Sequence, residues 1–152
     1  MYLSKQPDMK LKLNLDGMEE EFFTGTHLLG IVSSMKDYQL CRLINQLFRL
    51  NFRMNNEIEI QLTKKGRKYF FPVYQYCEPN SSLVHYLYNN HDDGEYLLPE
   101  FKHLDFLWLL KGDHVDGESI NNMISSIRHI NGVQMATELT NEKIINKGHL
   151  IF

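Results

Sequence analysis

Two carboxylates five residues apart, Glu100 and Asp105, stand in the run Leu98-Pro99-Glu100-Phe101-Lys102-His103-Leu104-Asp105-Phe106. A loop that folded them together would make an acid/base pair. Two neighbouring carboxylates seldom define a site by themselves, and the plainer reading is local. Pro99 fixes the chain direction, Glu100 caps or pairs with a neighbour, and Asp105 opens a strand. The unbroken apolar stretch Phe106-Leu107-Trp108-Leu109-Leu110 is that strand, buried on both faces. An aspartate buried beside it needs a partner. Lys111 or the N–H groups of a helix start are the expected ones.

Seven histidines raise a metal reading, but His27, His85, His91, His103, His114, His129 and His149 show neither H-x-H nor H-x-x-x-H spacing. The loop Asp113-His114-Val115-Asp116-Gly117-Glu118 offers oxygen and nitrogen ligands without the twelve-residue calcium pattern. It reads instead as a solvated loop that caps a helix through Asp116 or Ser119. Cys41 beside a histidine would be a nucleophile; on the shoulder of a helix stripe it packs as a small apolar group. Cys77, in an aromatic strand, reads the same way. Neither metal nor cofactor is expected.

Lys64, Lys65, Arg67 and Lys68 cluster beside Tyr69, Phe70, Phe71, Tyr74 and Tyr76. Cations that take phosphates and rings that stack on bases are how single-stranded nucleic acid is held. The competing reading is a hairpin turn with solvated lysines and core-facing rings. The formal charge of −3 over 152 residues weakens the nucleic-acid reading.

These residues need elements to position them. With 43% apolar and 23% charged residues, the chain has the composition of a globular domain able to bury a core. Met9, Leu11, Leu13 and Leu15 alternate as on a strand closed by Asp16-Gly17. His27–Val32 is a second strand. Leu40, Leu43, Ile44, Leu47 and Leu50 recur at helical spacing over residues 36–50, with Ser34 or Asp37 as the cap. Glu57–Leu62 alternates strictly, and residues 63–67 read as a hairpin turn. Residues 68–77 form an aromatic strand that Pro72 pushes toward an edge or a bulge. Residues 83–88 and 133–139 are further strands. Ile120, Ile124, Ile127 and Ile130 mark a second helix over 119–130, stopped by Asn131-Gly132.

Two β-α-β units follow, 27–62 and 104–139. The expected fold class is α+β in a single domain over 1–152. It has a mostly antiparallel sheet, two main helices, ferredoxin-like or ACT-like β-α-β units and an extra hairpin.

The run Leu98-Pro99-Glu100-x-x-x-Leu104-Asp105-Phe106 resembles the signature of the bacterial IPExxxVDY family of uncharacterised proteins. Pro99, Glu100 and Asp105 match it in type. Leu98, Leu104 and Phe106 stand where the family has Ile, Val and Tyr. Residues 34–40, followed by Asn45 and Asn51-Phe52, resemble its helix region, and the similarity runs from the neighbourhood of Phe22 onward. The resemblance implies no activity, since the family has no assigned one. Phenylalanine at 106 removes the hydroxyl that a catalytic phenol there would need.

The functional expectation is a cytoplasmic, non-enzymatic interaction protein. The two thiols are not paired as C-x-x-C, and neither an export signal nor a membrane span is read. Its partner would be another protein or a second copy. The candidate binding residues are Asp37, Pro99, Glu100, Asp105, Lys64, Lys65, Arg67, Tyr69 and Tyr74. RNA binding through the basic–aromatic hairpin 64–76 is the first alternative. Small-ligand sensing at the strand–helix turn Ser33–Asp37, by analogy with ACT-like domains, is the second.

Overall fold

The computed structural model describes residues 22–112 and 115–152. The alternating segment 9–15 and the loop residues Asp113 and His114 therefore lie outside the described residues. The architecture is α+β: among the described residues, a mainly antiparallel sheet carries the helices Asp37–Phe48 and Gly117–Arg128.

Strand β9 (Phe106–Lys111) sits inside a six-stranded sheet, and its first five side chains are all buried. That explains its unbroken apolar character: Phe106, Trp108 and Leu110 enter one core, Leu107 and Leu109 the other. β1 (Thr26–Ser33) lies on one side of β9 and β6 (Val84–Asn89) on the other, both antiparallel. β10 (Val133–Leu139) adds to β1, β5 (Val73–Cys77) to β6, and the two-residue β2 (Arg53–Met54) closes the far edge. The spatial order is β10-β1-β9-β6-β5-β2. Taken with the helices, β1, β6, β9 and β10 follow the split β-α-β plan, strands one and three lying at the centre. β5 and β2 extend it.

Helix α1 (Asp37–Phe48) joins β1 to the chain leading to β2, and α2 (Gly117–Arg128) joins β9 to β10. Both cover the same sheet face. Leu40, Cys41 and Ile44 of α1 share a core with Ile120, Ile124 and Ile127 of α2 and with Leu29, Ile31, Leu87 and Trp108 of the sheet. The α2 stripe is the expected one, and Asp116 caps it by accepting from Ser119 N–H at 2.7 Å. The α1 stripe is rotated from its expected position. Leu47 is 48% exposed, while Cys41, expected on the flank, is buried. The cap also differs: Lys36 is the N-cap, its N–H bound by the Gln39 side chain at 3.0 Å, and Asp37 is the first helical residue.

The first β-α-β unit does not close at 57–62. β3 (Ile60–Lys64) pairs only with β4 (Arg67–Phe71), as a separate hairpin. The strand that completes the crossover is β6. Pro72 divides the expected 68–77 strand, sending β4 to the hairpin and β5 to the main sheet. Proline has no N–H to offer a ladder, so the run breaks there. Lys65 and Gly66 carry φ of 53° and 77°, the positive values that a two-residue primed turn requires. A second small hairpin, β7 (His91–Asp92) with β8 (Glu95–Tyr96), turns at Asp93-Gly94.

The sheet face away from the helices is not left open. Ile60, Tyr69 and Phe71 of the hairpin cover it, with Leu97, Leu98, Phe101 and Leu104 before β9 and Ile144 and Leu150 of the tail.

Candidate functional site

The motif is anchored by Asn90, whose side chain is fully buried between β6 and β7. It accepts from Leu98 N–H at 2.8 Å and donates to the carbonyls of Phe101 and Leu104, each at 2.9 Å. Its own N–H reaches Asp105 O and its carbonyl takes Leu97 N–H. Pro99 opens a single 3-10 turn, Pro99–Phe101, where its missing N–H costs nothing. Leu104 packs on β1 at Gly30; a Cβ there would lie 2.5 Å from Leu104 Cδ1.

The two motif carboxylates do not form a pair. Glu100 turns to the tail, accepting from the N–H groups of Ile145 and Asn146, each at 2.6 Å, and from Asn146 Nδ2 at 2.9 Å. Burial pulls its pKa up, but these hydrogen bonds outweigh it and hold the carboxyl below its ordinary value. Asp105 turns to β1, accepting from Ser33 N–H at 2.8 Å. That N–H replaces the expected Lys111 or helix-start partner. His91 Nε2 stands 3.7 Å from its other oxygen. Asp105 thus fixes the end of β1 just before α1.

Asp37 is tied down in the same neighbourhood. It accepts from Tyr38 N–H at 2.8 Å and from Asn89 Nδ2 at 3.3 Å. Burial, then the charge of Asp37 and a hydrogen bond to it, push the Tyr74 phenol well above its ordinary range. Ser33, Ser34, Lys36, Asp37, Asn89, His91 and Asp105 line a cleft of about 260 Å³. Asn89 Oδ1, buried and without a partner, is the only such side-chain atom among the described residues.

The basic–aromatic hairpin is assembled differently from a stacking platform. Tyr69 and Phe71 face the core and Tyr74 lies under α1, leaving Phe70 as the exposed ring, at 46%. Lys64 pairs with Glu95 at 3.1 Å, Arg67 with Asp93, and Asp92 accepts from Phe70 N–H at 2.9 Å. Lys65 sits at the exposed turn. Two of the four cations, Lys64 and Arg67, are thus matched by the acidic β7–β8 hairpin. Beside Phe70, a groove of about 240 Å³ is lined by Met54, Ile58, Phe71 and Pro72.

Two polar arrangements were not foreseen. Asn45 holds Phe52 by both backbone groups, donating to its carbonyl at 3.1 Å and accepting from its N–H at 2.8 Å. His85, buried in β6, accepts from Trp108 Nε1 at 3.1 Å and donates to Glu78 at 3.0 Å. Lone asparagines and histidines carry no periodicity, so only tertiary contact reveals these roles. The Cys41 thiol is pushed up to about 11 by burial, then by Asp37, which keeps it un-ionised and a poor nucleophile at neutral pH.

Among the described residues no group of three or more His, Cys, Asp or Glu is placed to hold a metal ion. No helix among them is long and apolar enough to cross a membrane. No family model matches the chain, and no curated protein is significantly similar to it.

Proposed function

We propose that the protein acts by binding another protein chain, a partner or a second copy, and not by catalysis. The observation that carries this reading is the groove at the sheet edge. Met54 and Phe70, both large apolar residues exposed by nearly half, line it together, with Ile58 and Pro72 between them. Exposed aromatic and methionine side chains around a groove that also presents Asn55, Asn56 and Glu59 supply the apolar anchors and polar rim on which protein interfaces depend. The chemistry-bearing motif residues support the same reading, because Glu100 and Asp105 are engaged in joining segments of the fold.

Sedimentation velocity over a wide concentration range, with wild type and Phe70→Ser compared, tests it. Association that Phe70→Ser abolishes, with unchanged circular dichroism, is the expected result. A wild type that stays monomeric and binds no protein partner dependent on Phe70 would end this reading.

A second reading, small-ligand binding, is favoured by the cleft at the β1–α1 turn, where groups from three stretches of the chain converge. Thermal shift against a panel of small polar metabolites tests it. No shift at millimolar ligand would remove it.

A further inference from the structure

His85 is 3% exposed, yet both of its ring nitrogens are committed. An indole N–H can only donate. Trp108 Nε1 lies 3.1 Å from His85 Nδ1, so Nδ1 is the acceptor and the ring proton sits on Nε2. That proton faces Glu78 Oε1 at 3.0 Å. The tautomer is therefore set by its two partners. A second proton can be taken up only at Nδ1, where it would set N–H against N–H. The imidazolium would keep its bond to Glu78 and lose the one to Trp108. The fully buried indole would then have a donor with no acceptor, a costly state in a core closed to water.

The rings around this bond connect it to the sheet edge. His85 packs against Phe52, Tyr76 and Trp108 with centroids 5.9, 5.8 and 5.7 Å away. Phe48 and Phe52 meet Trp108 edge-on at 5.6 and 5.4 Å. Phe48 ends α1, and Phe52 immediately precedes β2. A displaced indole thus pushes on residues 48–54, the last part of α1 and the edge strand.

We propose that His85 is a proton-operated latch: uptake of a proton at Nδ1 breaks the Trp108 hydrogen bond and loosens residues 48–54 while the rest of the fold stays intact. Of the groups facing the ring, Glu78 carries the charge. Tyr76 from β5 is the other titratable one, and β9 and the α1–β2 connection present Trp108, Leu110 and Phe52. Burial lowers the histidine's pKa from its ordinary 6.5, and Glu78 opposes that by hydrogen bond and charge. The latch therefore opens on the acid side of 6.5. It stands apart from the binding reading, although β2 carries Met54 and would move with it.

Trp108 is the only tryptophan in the chain, so intrinsic fluorescence reads the bond directly. The full chain is titrated from about pH 8 to about pH 4.5, the range in which a histidine changes charge. Far-UV circular dichroism is followed in parallel, with hydrogen exchange at both ends. The expected result is a reversible one-proton change in emission below pH 6.5, with constant dichroism and faster exchange confined to residues 48–54. Glu78→Gln, a change at a partly exposed side chain, should move the midpoint to lower pH. His85→Gln, whose amide oxygen accepts from the indole at any pH, should abolish the change. Emission that stays flat until the dichroism collapses would overturn the proposal. So would a Glu78→Gln titration that superimposes on the wild type, a result that decides the matter even if His85→Gln does not fold.

Discussion

Asn90 donates to two carbonyls and accepts one backbone N–H in a region without water access. Asn90→Ala takes their partner from the Leu98 N–H and the Leu104 carbonyl, each worth about 1–3 kcal/mol, while the Phe101 carbonyl keeps its bond from Leu104 N–H. The variant should lose about 2 kcal/mol or more, seen as a lower urea midpoint at unchanged slope. A loss below about 1 kcal/mol would mean that the segment 97–104 holds itself in place without the side chain. Glu100 gives a pH-dependent counterpart. Its folded pKa lies below the ordinary 4.5, so on acidification the unfolded chain takes the proton first. The stability it contributes is present above pH 4.5 and disappears as pH falls through the folded value. Glu100→Gln should therefore melt lower than wild type at neutral pH, and the gap should close in acid. An equal gap at both would show that the tail is not held through the ionised carboxylate.

At the scale of elements, the β3–β4 hairpin combines two kinds of attachment. Its ion pairs with β8 and the β7–β8 turn are solvent-exposed, and such pairs contribute about 0–1 kcal/mol each. Its apolar face places Phe71, almost fully buried, in the core. Phe71→Ala should cost about 3–5 kcal/mol. Lys64→Ala should stay within the surface-pair range, and added salt should leave the wild type nearly unchanged. Denaturation curves at low and high salt compare the two. A salt-sensitive wild type would mean that electrostatics, not packing, hold the hairpin. Helix α1 shows the same dominance of packing. Turning Cys41 inward and Leu47 outward sets the stripe against Trp108 and Tyr74, and a one-dimensional period does not specify that rotation.

Across the whole molecule, the centre of the six-stranded sheet is covered on both faces, one by α1 and α2 and the other by the chain's own hairpin, motif segment and tail. At Gly30 the Leu104 side chain of the motif segment packs directly on β1. A Cβ there meets the tip of the buried Leu104 side chain, and overpacking of this kind costs about 1–3 kcal/mol. Gly30→Ala should destabilise by that amount. Combined with Leu104→Ala it should cost less than the sum of the single changes, because the second substitution vacates the space. Additive losses would show that the strain at Gly30 has another source.

Most of the elements are legible in the residue pattern alone. Helical spacing marked α2 and the span of α1, alternation and apolar runs marked β1, β6, β9 and β10, and the turn at 63–67 marked a hairpin. These signals are local, with periods of 3.6 or 2 residues. The doubly buried character of β9 was legible too, because a strand covered on both faces has no polar positions to alternate. Which sheet each strand joins, and what each polar side chain holds, emerge from long-range packing. The 57–62 segment read as part of a crossover because alternation does not name a pairing partner. Glu100 read as a local cap or pair, and Asp105 as a partner of Lys111 or a helix start, because a sequence shows only each residue's neighbours. Their partners lie 45–46 and 72 residues away, and contacts across such distances leave no periodic trace in the chain. The same holds for Asn90, Asn45 and His85: a buried hydrogen bond depends on the atom opposite, which the fold alone supplies.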